Sequence, residues 1–352
     1  MLYNHILTYH YSGTGNSYRV AKWIEKTAGE SGAAGTLQSI NNPYLETPSG
    51  SQTLVAIVFP THGLTAPWPV IRFALRLPHQ QGTHALVIAT RGGTKFGSLI
   101  VPGMEGTAAW LIALILRLKG FRIQGVKGVD MPANWTALMP GYGEENSRQI
   151  ISRSQTGAMA FIQKVLSGQR QLQGWIPLLA GLILLPVSFG YLFAGRFFLA
   201  KTLYASDRCN GCGLCAKHCP SQAIRMFKGK QHDRPYWTFS CHSCMRCMNL
   251  CPQNAIETNI ALVSGMIWLS TLPVDALLLH WLGQLIAHSS LAASAPVQVL
   301  MKTAVLFGIL WTLYALFYLL LGMRWFNRVI TTLTPTHYYN RYHEPDSDLK
   351  KI

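Results

Sequence analysis

The sequence predicts three structural parts: an open, doubly wound α/β domain, a small α+β domain with two cysteine-rich halves, and a helical membrane anchor. Three observations support this prediction. Apolar strand-like segments alternate with helical segments as far as residue 168. Two copies of the pattern C-x2-C-x2-C-x3-C-P lie 32 residues apart in the middle of the chain. Three long apolar runs occupy residues 175–200, 260–287 and 303–323.

These observations divide the chain into five regions. We expect an α/β domain over 1–168, a membrane hairpin over 169–202, a cysteine-rich domain over 203–259, two transmembrane helices over 260–325 and a tail over 326–352.

The elements of the first domain follow from apolar periodicity. Strands are expected over 6–11 and near Leu37, Leu54, Ala85 and Ile123, and helices over 18–27, 67–77, 104–119 and 145–166. The segment 110–116 is apolar on all sides but is too short to cross a bilayer. We therefore expect a buried core helix there rather than a membrane contact.

The loop between the first strand and the first helix is rich in glycine and hydroxyl groups. It consists of Ser12, Gly13, Thr14, Gly15, Asn16 and Ser17. Such a loop presents backbone N–H groups and hydroxyls to a phosphate at the helix N-terminus. The loop has neither the Gly-Lys-Ser/Thr ending of a Walker loop nor the G-x-G-x-x-G dinucleotide pattern. An ordinary strand-to-helix turn is the alternative interpretation.

Two further loops follow the apolar strands 54–59 and 84–89. The first contains Pro60, Thr61, His62 and Gly63, and the second contains Thr90, Arg91, Gly92, Gly93, Phe96 and Gly97. In an open doubly wound sheet, ligands bind outside the carboxyl ends of the strands, where these loops meet. We therefore expect FMN, with its phosphate on the first loop and its ring between the other two.

The eight cysteines of the chain all belong to the two repeated patterns. They are Cys209, Cys212, Cys215, Cys219, Cys241, Cys244, Cys247 and Cys251. In bacterial two-cluster proteins with this spacing, three cysteines of one run bind one 4Fe-4S cluster and the fourth binds the other. The predicted ligand sets are thus Cys209, Cys212, Cys215 and Cys251 for one cluster, and Cys241, Cys244, Cys247 and Cys219 for the second.

A pair of zinc knuckles is the alternative to the clusters, although zinc sites have longer gaps between ligand pairs. No cysteine is left for a disulfide when both clusters are filled, which indicates a reducing, cytoplasmic compartment. Gly211 and Gly213 of the first run correspond to Ser243 and Met245 in the second. We expect this loss of backbone freedom to give the two clusters different potentials.

The composition is that of a membrane protein. Only 12% of residues are charged, and the mean hydropathy is +0.19. The net charge is +16, but the basic residues do not form one polybasic face and lie mostly beside apolar runs. We therefore expect the protein to contact anionic lipid and an acidic redox partner rather than nucleic acid. The first residues lack the pattern of an export signal.

The second and third apolar runs predict transmembrane helices. Residues 288–302 contain one Lys or Arg, whereas residues 324–352 contain five, so the tail is expected in the cytoplasm. A single crossing at 175–200 would separate the α/β domain from the cysteines. Because basic residues flank both ends of this run, we expect a re-entrant or interfacial hairpin, with a plain span as the alternative.

Asp275 and His280 lie inside the second run, where ionisable side chains are costly and often functional. One interpretation is that they carry protons to a quinone. The other is that both are solvated near an interface or that His280 packs against a helix. His288, His337 and His343 are not expected to bind haem, because no C-x-x-C-H pattern is present.

Three motifs in the same order are found in a known family. YSGTGNS at the start, MPANW at 131–135 and the two cysteine runs together resemble the flavodoxin/ferredoxin fusion proteins. The resemblance covers roughly residues 1–260 and implies a flavodoxin-like FMN domain that exchanges electrons with a two-cluster ferredoxin domain. The apolar runs would make this chain a membrane-anchored member.

Three functions remain open. The favoured one is a membrane-bound electron-transfer protein, with both domains on the cytoplasmic face and an unidentified redox partner. The second is a quinone oxidoreductase with its site near Asp275 and His280, although two polar groups are few for such a site. The third is a redox-sensing or assembly subunit. A sensor needs a labile or incomplete cluster, whereas both ligand sets here are complete.

Overall fold

The computed structural model describes residues 2–48, 52–97, 99–229, 232–270 and 295–345. Its N-terminal part is a twisted sheet with helices on both faces. The strands are β1 (His5–His10), β2 (Ala34–Ser39), β3 (Thr53–Pro60), β4 (His84–Phe96), β5 (Leu99–Val101), β6 (Arg122–Pro132) and β7 (Gln171–Leu172). The helices are α1 (Asn16–Glu30), α2 (Trp68–Arg76), α3 (Ala108–Leu118) and α4 (Glu144–Leu166).

The order of the strands is that of a flavodoxin. The parallel strands run β2-β1-β3-β4-β6, β7 extends the sheet beyond β6, and β5 pairs antiparallel with β4. Without the hairpin strand β5, this is the 2-1-3-4-5 order, whose switch point lies between β1 and β3. The predicted flavodoxin-like fold is confirmed by this topology.

Burial on both faces explains why the central strands are continuously apolar. Along β3, Leu54, Ala56 and Val58 pack with α1 and α4, whereas Val55, Ile57 and Phe59 pack with α2 and α3. The apolar segment of α3 also buries Ile112 and Leu116 in this second layer. It is therefore a core helix, as the sequence predicts.

β4 is longer than the sequence predicts. The expected strand ends at residue 89, but β4 continues to Phe96, pairs with β6 as far as Gly93 and Pro132, and then turns into β5. The segment after β5 then packs closely on β4, because a Cβ on Gly103 would lie 2.5 Å from the Gly92 carbonyl oxygen. The predicted third loop is therefore mostly strand.

The cysteine-rich part repeats its structure as it repeats its sequence. Its elements are β8 (Leu203–Ala205), α8 (Leu214–Lys217), β9 (Ile224–Phe227), β10 (Arg234–Trp237), α9 (Arg246–Asn249) and β11 (Ile256–Thr258). β9 pairs with β10, and β11 pairs with β8.

The two cysteine loops have the same backbone conformation. Gly211 and Gly213 have φ values of 74° and 71°, and Ser243 and Met245 take the same left-handed conformation at 51° and 58°. The second loop therefore keeps this backbone without the two glycines, and the difference in potential between the two clusters stays a prediction. Burial and charge, rather than backbone freedom, distinguish the two loops.

The apolar run after the first domain forms bent helices. They are α5 (Trp175–Ile183), α6 (Leu185–Gly190), a π-helical turn (Tyr191–Gly195) and α7 (Arg196–Thr202). Later helices are α10 (Ile260–Ser270), α11 (Ala295–Leu320) and α12 (Arg324–Thr332), with a short 3-10 turn at Pro335–Tyr338.

The described ranges contain no individual helix with both the length and the hydrophobicity to cross a bilayer. Two bent pairs meet these criteria together. Trp175–Ile183 and Leu185–Thr202 meet at 74°, and Gly308–Leu320 and Arg324–Thr332 meet at 108°.

The C-terminal segment packs against both domains. The Glu344 N–H donates to the Thr14 carbonyl oxygen at 2.8 Å, and the Tyr342 N–H donates to Asn249 Oδ1 at 2.9 Å. Arg341 binds the fully buried Glu257 at 2.8 Å. Residues up to Glu344 therefore hold the α/β domain and the cysteine-rich domain together.

Candidate cofactor-binding site

The first loop forms a compact turn at the carboxyl end of β1. Gly15 precedes α1 with φ at 100°, which favours glycine, and its N–H donates to Ser12 Oγ at 3.0 Å. Ser17 Oγ, in the first turn of α1, lies 2.8 Å from Thr90 Oγ1 of β4. Hydroxyls from a helix and a strand therefore meet at the start of α1, and helix starts are where anions bind.

The MPANW segment holds this loop from the other side. Asn16 Nδ2 donates to the Pro132 carbonyl oxygen at 2.9 Å, and Asn134 Nδ2 donates to Thr14 Oγ1. The sequence points to this segment only through the family resemblance, and the structure gives it a physical role. It orients the hydroxyl and amide side chains of the first loop.

The second loop lies beside the first and contacts the bent helices. The Thr61 N–H donates to the Thr90 carbonyl oxygen at 2.8 Å, and His62 Nδ1 lies 3.0 Å from the hydroxyl of Tyr191. Gly63 has φ at 55°, and a Cβ there would lie 2.5 Å from Tyr191. Burial, assisted by nearby His242, lowers the pKa of His62 to about 4, so this imidazole is neutral at neutral pH.

The third predicted loop contributes Thr90 but not Arg91. The Arg91 guanidinium binds Asp130 at 2.9 Å and also Glu105, so an ion-pair network occupies it. Gly92 and Gly93 lie within β4, and the chain turns back into β5 after Phe96 and Gly97. Residues 90–96 are therefore strand rather than the loop that the sequence predicts, because β4 pairs beyond residue 89. That Arg91, Gly92, Gly93, Phe96 and Gly97 contact FMN stays a prediction.

Buried polar atoms around the first two loops test whether the site fits FMN. Tyr11 Oη, Asn16 Oδ1 and Thr61 Oγ1 are buried and have no hydrogen-bond partner within the described parts of the chain. Leaving such a group unpaired costs about 1–3 kcal/mol. A ligand rich in oxygen and nitrogen acceptors and donors at these loops would remove that cost, so the residues fit FMN.

The cysteines form two groups that each draw on both runs. A cavity in the cysteine-rich domain is lined by Cys209, Cys212, Cys215 and Cys251, and Cys247 of the second run also reaches its wall. Burial, together with the neighbouring Cys209, Cys251 and Cys212, raises the pKa of Cys215 to about 12. Cys251 of the second run therefore lies with three cysteines of the first.

The second group is arranged in the same way. Burial, together with the nearby Cys244 and Cys219, raises the pKa of Cys241 to about 12. Burial likewise raises the pKa of Cys247 well above its usual value, with contributions from Cys241, Cys244 and Cys219. Cys219 of the first run is thus the neighbour of the three remaining cysteines.

Where the chain is described, no three His, Cys, Asp or Glu side chains converge as the ligands of one metal ion do. A 4Fe-4S cluster takes one sulfur on each of four irons and does not require such convergence. Asp275 and His280 lie outside the described residues, so a quinone site there stays a prediction.

Arg246 connects the cysteines to the first loop. Its side chain is 4% exposed and donates to the carbonyl oxygens of Ser12 at 2.6 Å, Gly13 at 2.8 Å and His218 at 3.1 Å. A Cβ on Gly13 would lie 2.2 Å from the Cys244 carbonyl oxygen. The two candidate cofactor sites therefore touch through backbone.

The sequence motifs predict no role for Arg246, although the comparison of the two cysteine runs indicates one. At the same offset of the repeat, the first run has the apolar Leu214. A charged side chain that replaces an apolar one inside a ligand loop requires a partner elsewhere. Among the described residues Arg246 has no carboxylate partner, so the anionic cysteine sulfurs are its natural counter-charge.

Tyr191 is a second connection between the two domains. It is 8% exposed, and its hydroxyl lies near His62 and donates to the His242 carbonyl oxygen at 3.4 Å. Its ring also meets the edge of Trp135 with centroids 6.4 Å apart. The bent helices thereby seal the junction between the second loop and the second cysteine run.

Comparisons with known proteins agree with this division of the chain. A family model described as a 4Fe-4S dicluster domain matches residues 208–256, the part that contains all the cysteines. No curated protein matches the sequence significantly.

Several solved structures are similar to this chain. One is a flavodoxin from the domain Archaea, with 12% identity over 47% of this chain and 97% of that chain and a TM-score of 0.33. Another is flavodoxin 1 from Bacillus cereus, with 14% identity over 44% and 97% and a TM-score of 0.28. A third is rubredoxin oxygen:oxidoreductase from Desulfovibrio gigas, with 15% identity over 47% and 36% and a TM-score of 0.28.

The strand order, rather than these scores, identifies the fold of the N-terminal part. The chain therefore joins a flavodoxin-like α/β domain to a 4Fe-4S dicluster domain.

Proposed function

We propose that this chain is a membrane-bound electron-transfer protein that relays electrons between FMN, two 4Fe-4S clusters and a redox partner. One observation carries the proposal: Arg246 and Cys244 of the second cysteine run lie directly on Gly13 of the first loop. Groups held by these two loops are near neighbours. Bound FMN and 4Fe-4S clusters would supply the electron-accepting chemistry.

The protein's own residues position the groups and exclude water. The hydroxyls of Ser12, Thr14 and Ser17 would bind the FMN phosphate, and Asn134 orients Thr14. The crossed ligand sets would use Cys251 with the first run and Cys219 with the second. Tyr191 and Trp135 close the junction, so little solvent has to reorganise when charge moves across it.

Ser17→Ala is expected to weaken FMN binding and to leave the iron content unchanged. The substitution removes a hydroxyl that lies 2.8 Å from Thr90 Oγ1 at the helix start. A lost hydrogen bond to a charged group costs about 1.5–3 kcal/mol, or roughly tenfold or more in Kd. Equilibrium titration of flavin-stripped protein with FMN measures the change.

The matched control is Ser31→Ala at the opposite end of α1, where the hydroxyl bonds only to the Thr27 carbonyl oxygen within the described structure. Equal FMN affinity in Ser17→Ala and Ser31→Ala would contradict the assignment of the first loop.

Helix α12 supports the membrane part of the proposal, because it exposes apolar side chains beside basic ones. Asn327 and Thr331 are buried, and Asn327 Nδ2 donates to the Ala205 carbonyl oxygen at 3.0 Å. Trp325, Val329 and, just after the helix, Leu333 are 65%, 49% and 73% exposed, and Arg324 and Arg328 are exposed next to them. An exposed surface that combines apolar side chains with arginine suits the boundary between lipid acyl chains and headgroups.

Both domains would lie on one side of that membrane. Arg246 and the first loop are in direct contact, so no bilayer separates them. The bent pair α5 to α7 carries exposed apolar side chains such as Ile176, Ile183 and Phe193. A re-entrant or interfacial arrangement of this pair is compatible with the contact, whereas a single crossing is not.

A fluorophore on Val329→Cys is expected to be quenched by lipids brominated in the acyl chain after reconstitution into vesicles. Leu99→Cys, on an apolar and 62% exposed side chain of β5, is the matched control. It should be quenched by aqueous iodide instead, severalfold more than Val329→Cys. Equal iodide quenching at both positions would contradict membrane contact by α12. Cluster-bound cysteines are expected to resist labelling, because their sulfurs are bound to iron.

A further inference from the structure

A wide cleft lies where the α/β domain, α7 and the cysteine-rich domain meet. We name it the arginine cleft after Arg72, Arg76 and Arg196 in its wall. Its water-accessible volume is about 790 Å³, within the range of small-molecule sites. Its wall also includes Glu46, Trp68, Phe197, Pro220, Ser221, Phe239, Ser240 and His242.

The charge of the cleft selects for anions. Throughout the described ranges, no ion pair engages Arg72, Arg76 or Arg196. The one carboxylate in the wall, Glu46, lies 3.9 Å from His5 and accepts a hydrogen bond from Gln38. Arg72 and Arg76 project from successive turns of α2 and are exposed. Three unpaired guanidinium groups in one concave site favour a ligand with more than one negative charge.

The walls of the cleft favour a planar ring. The Arg196 guanidinium lies 5.1 Å from the ring of Trp68 and 4.3 Å from that of Phe197. Phe197 contacts Phe239, which is 62% exposed at the opening. Arg196 Nε and His242 Nδ1 are buried without a hydrogen-bond partner among the described residues. Flat aromatic and guanidinium surfaces stack on flat ligands.

The cleft adjoins the second cysteine group. Pro220 and Ser221 directly follow Cys219, and Ser240 and His242 flank Cys241 on both sides. A molecule in the cleft is therefore separated from that group by one layer of protein. The arrangement suits electron exchange better than storage of an inert anion.

We propose that the arginine cleft binds a soluble compound that carries at least two negative charges and a planar redox-active ring. The proposal rests on the electron-transfer function proposed above and identifies the chemical class of one electron partner. A neutral lipid quinone would leave the three guanidinium groups without a counter-charge.

Anthraquinone disulfonate is a suitable probe, since it is planar, doubly anionic and redox-active. Its reduction to the hydroquinone takes two electrons, one from each of two cluster oxidations, and two protons from water. Equilibrium dialysis against oxidised protein measures binding without any electron transfer. Reoxidation of dithionite-reduced protein by the same probe measures the transfer.

The test compares two double variants with the same change in net charge. Arg72→Gln with Arg76→Gln is expected to weaken binding of the probe by tenfold or more, and reoxidation should slow in parallel. Arg117→Gln with Arg148→Gln removes two exposed helical arginines outside the cleft and should change binding by less than twofold. The difference should shrink at high salt, because added ions screen exposed charges.

The outcomes separate the two proposals. Equal weakening in both double variants would show non-specific attraction to a basic protein and would overturn the cleft assignment. A second result would also overturn the proposal. If the double variant at Arg72 and Arg76 bound the probe as before but was reoxidised more slowly by a small acidic ferredoxin, the cleft would be assigned to a protein partner. If the purified protein contained neither iron nor FMN but still bound the probe in equilibrium dialysis, the result would support the cleft and contradict the relay.

Discussion

Cys219→Ala is expected to remove the cluster of the second cysteine run, although Cys219 belongs to the first run. Cys219 lies beside Cys241, Cys244 and Cys247, and the cavity of the other group contains Cys251 instead. Iron should fall from about eight to about four atoms per chain, the loss of one 4Fe-4S cluster. Iron analysis with electron paramagnetic resonance of the reduced protein measures this change.

The FMN content of each variant shows which cysteine run has lost its cluster. The second run contacts the first loop through Gly13 and Cys244, so its collapse should also weaken FMN binding. Cys251→Ala is the matched control, because it should remove the other cluster and leave FMN in place. If Cys219→Ala retained FMN and Cys251→Ala lost it, ligation within each run would replace the crossed arrangement. Zinc in place of iron would contradict both.

Arg246→Met is expected to separate the two domains. It removes the guanidinium N–H groups that donate hydrogen bonds to the carbonyl oxygens of Ser12, Gly13 and His218. Unpaired buried acceptors and the lost cation together should lower the free energy of unfolding by about 3–5 kcal/mol. Denaturant unfolding measures the stability, and flash reduction of FMN measures the slower electron transfer to the clusters.

The same variant should lower the potential of the second cluster. A cation near the sulfurs stabilises the reduced, more negative state, and Arg246 already counteracts the rise in the pKa of Cys244 that burial causes. One unit charge at about 8 Å is worth roughly 2 kcal/mol, or about 90 mV for a one-electron couple. Redox titration of both clusters measures the shift.

Two further variants separate charge from geometry. Arg246→Lys keeps the cation but not the guanidinium fork, so it should restore the potential and only part of the stability. Arg225→Met removes an exposed cation of the same domain and should change neither by much. Normal electron transfer in Arg246→Met would contradict the assignment of this contact as the route between FMN and the clusters.

Much of the site could be predicted because its parts are local in sequence. The cysteine spacing describes loops of a few residues, and the first loop lies between one strand and the next helix. Strand periodicity likewise gave the flavodoxin-like order of elements that the structure confirms. The end of β4 was not predictable in this way, because Gly92 and Gly93 pair with Met131 and Pro132 across the sheet.

Short-range spacing and periodicity in the sequence specify that one chain holds a parallel α/β domain and a repeated cysteine domain. Only the tertiary structure showed that these domains touch. The Arg246 bond to Gly13 joins residues 233 positions apart, and the burial of Asn327 in α12 depends on its contact with Ala205. Partners so distant in sequence leave no local pattern, and the free energy of burying their polar groups decides the contact only after the chain has folded.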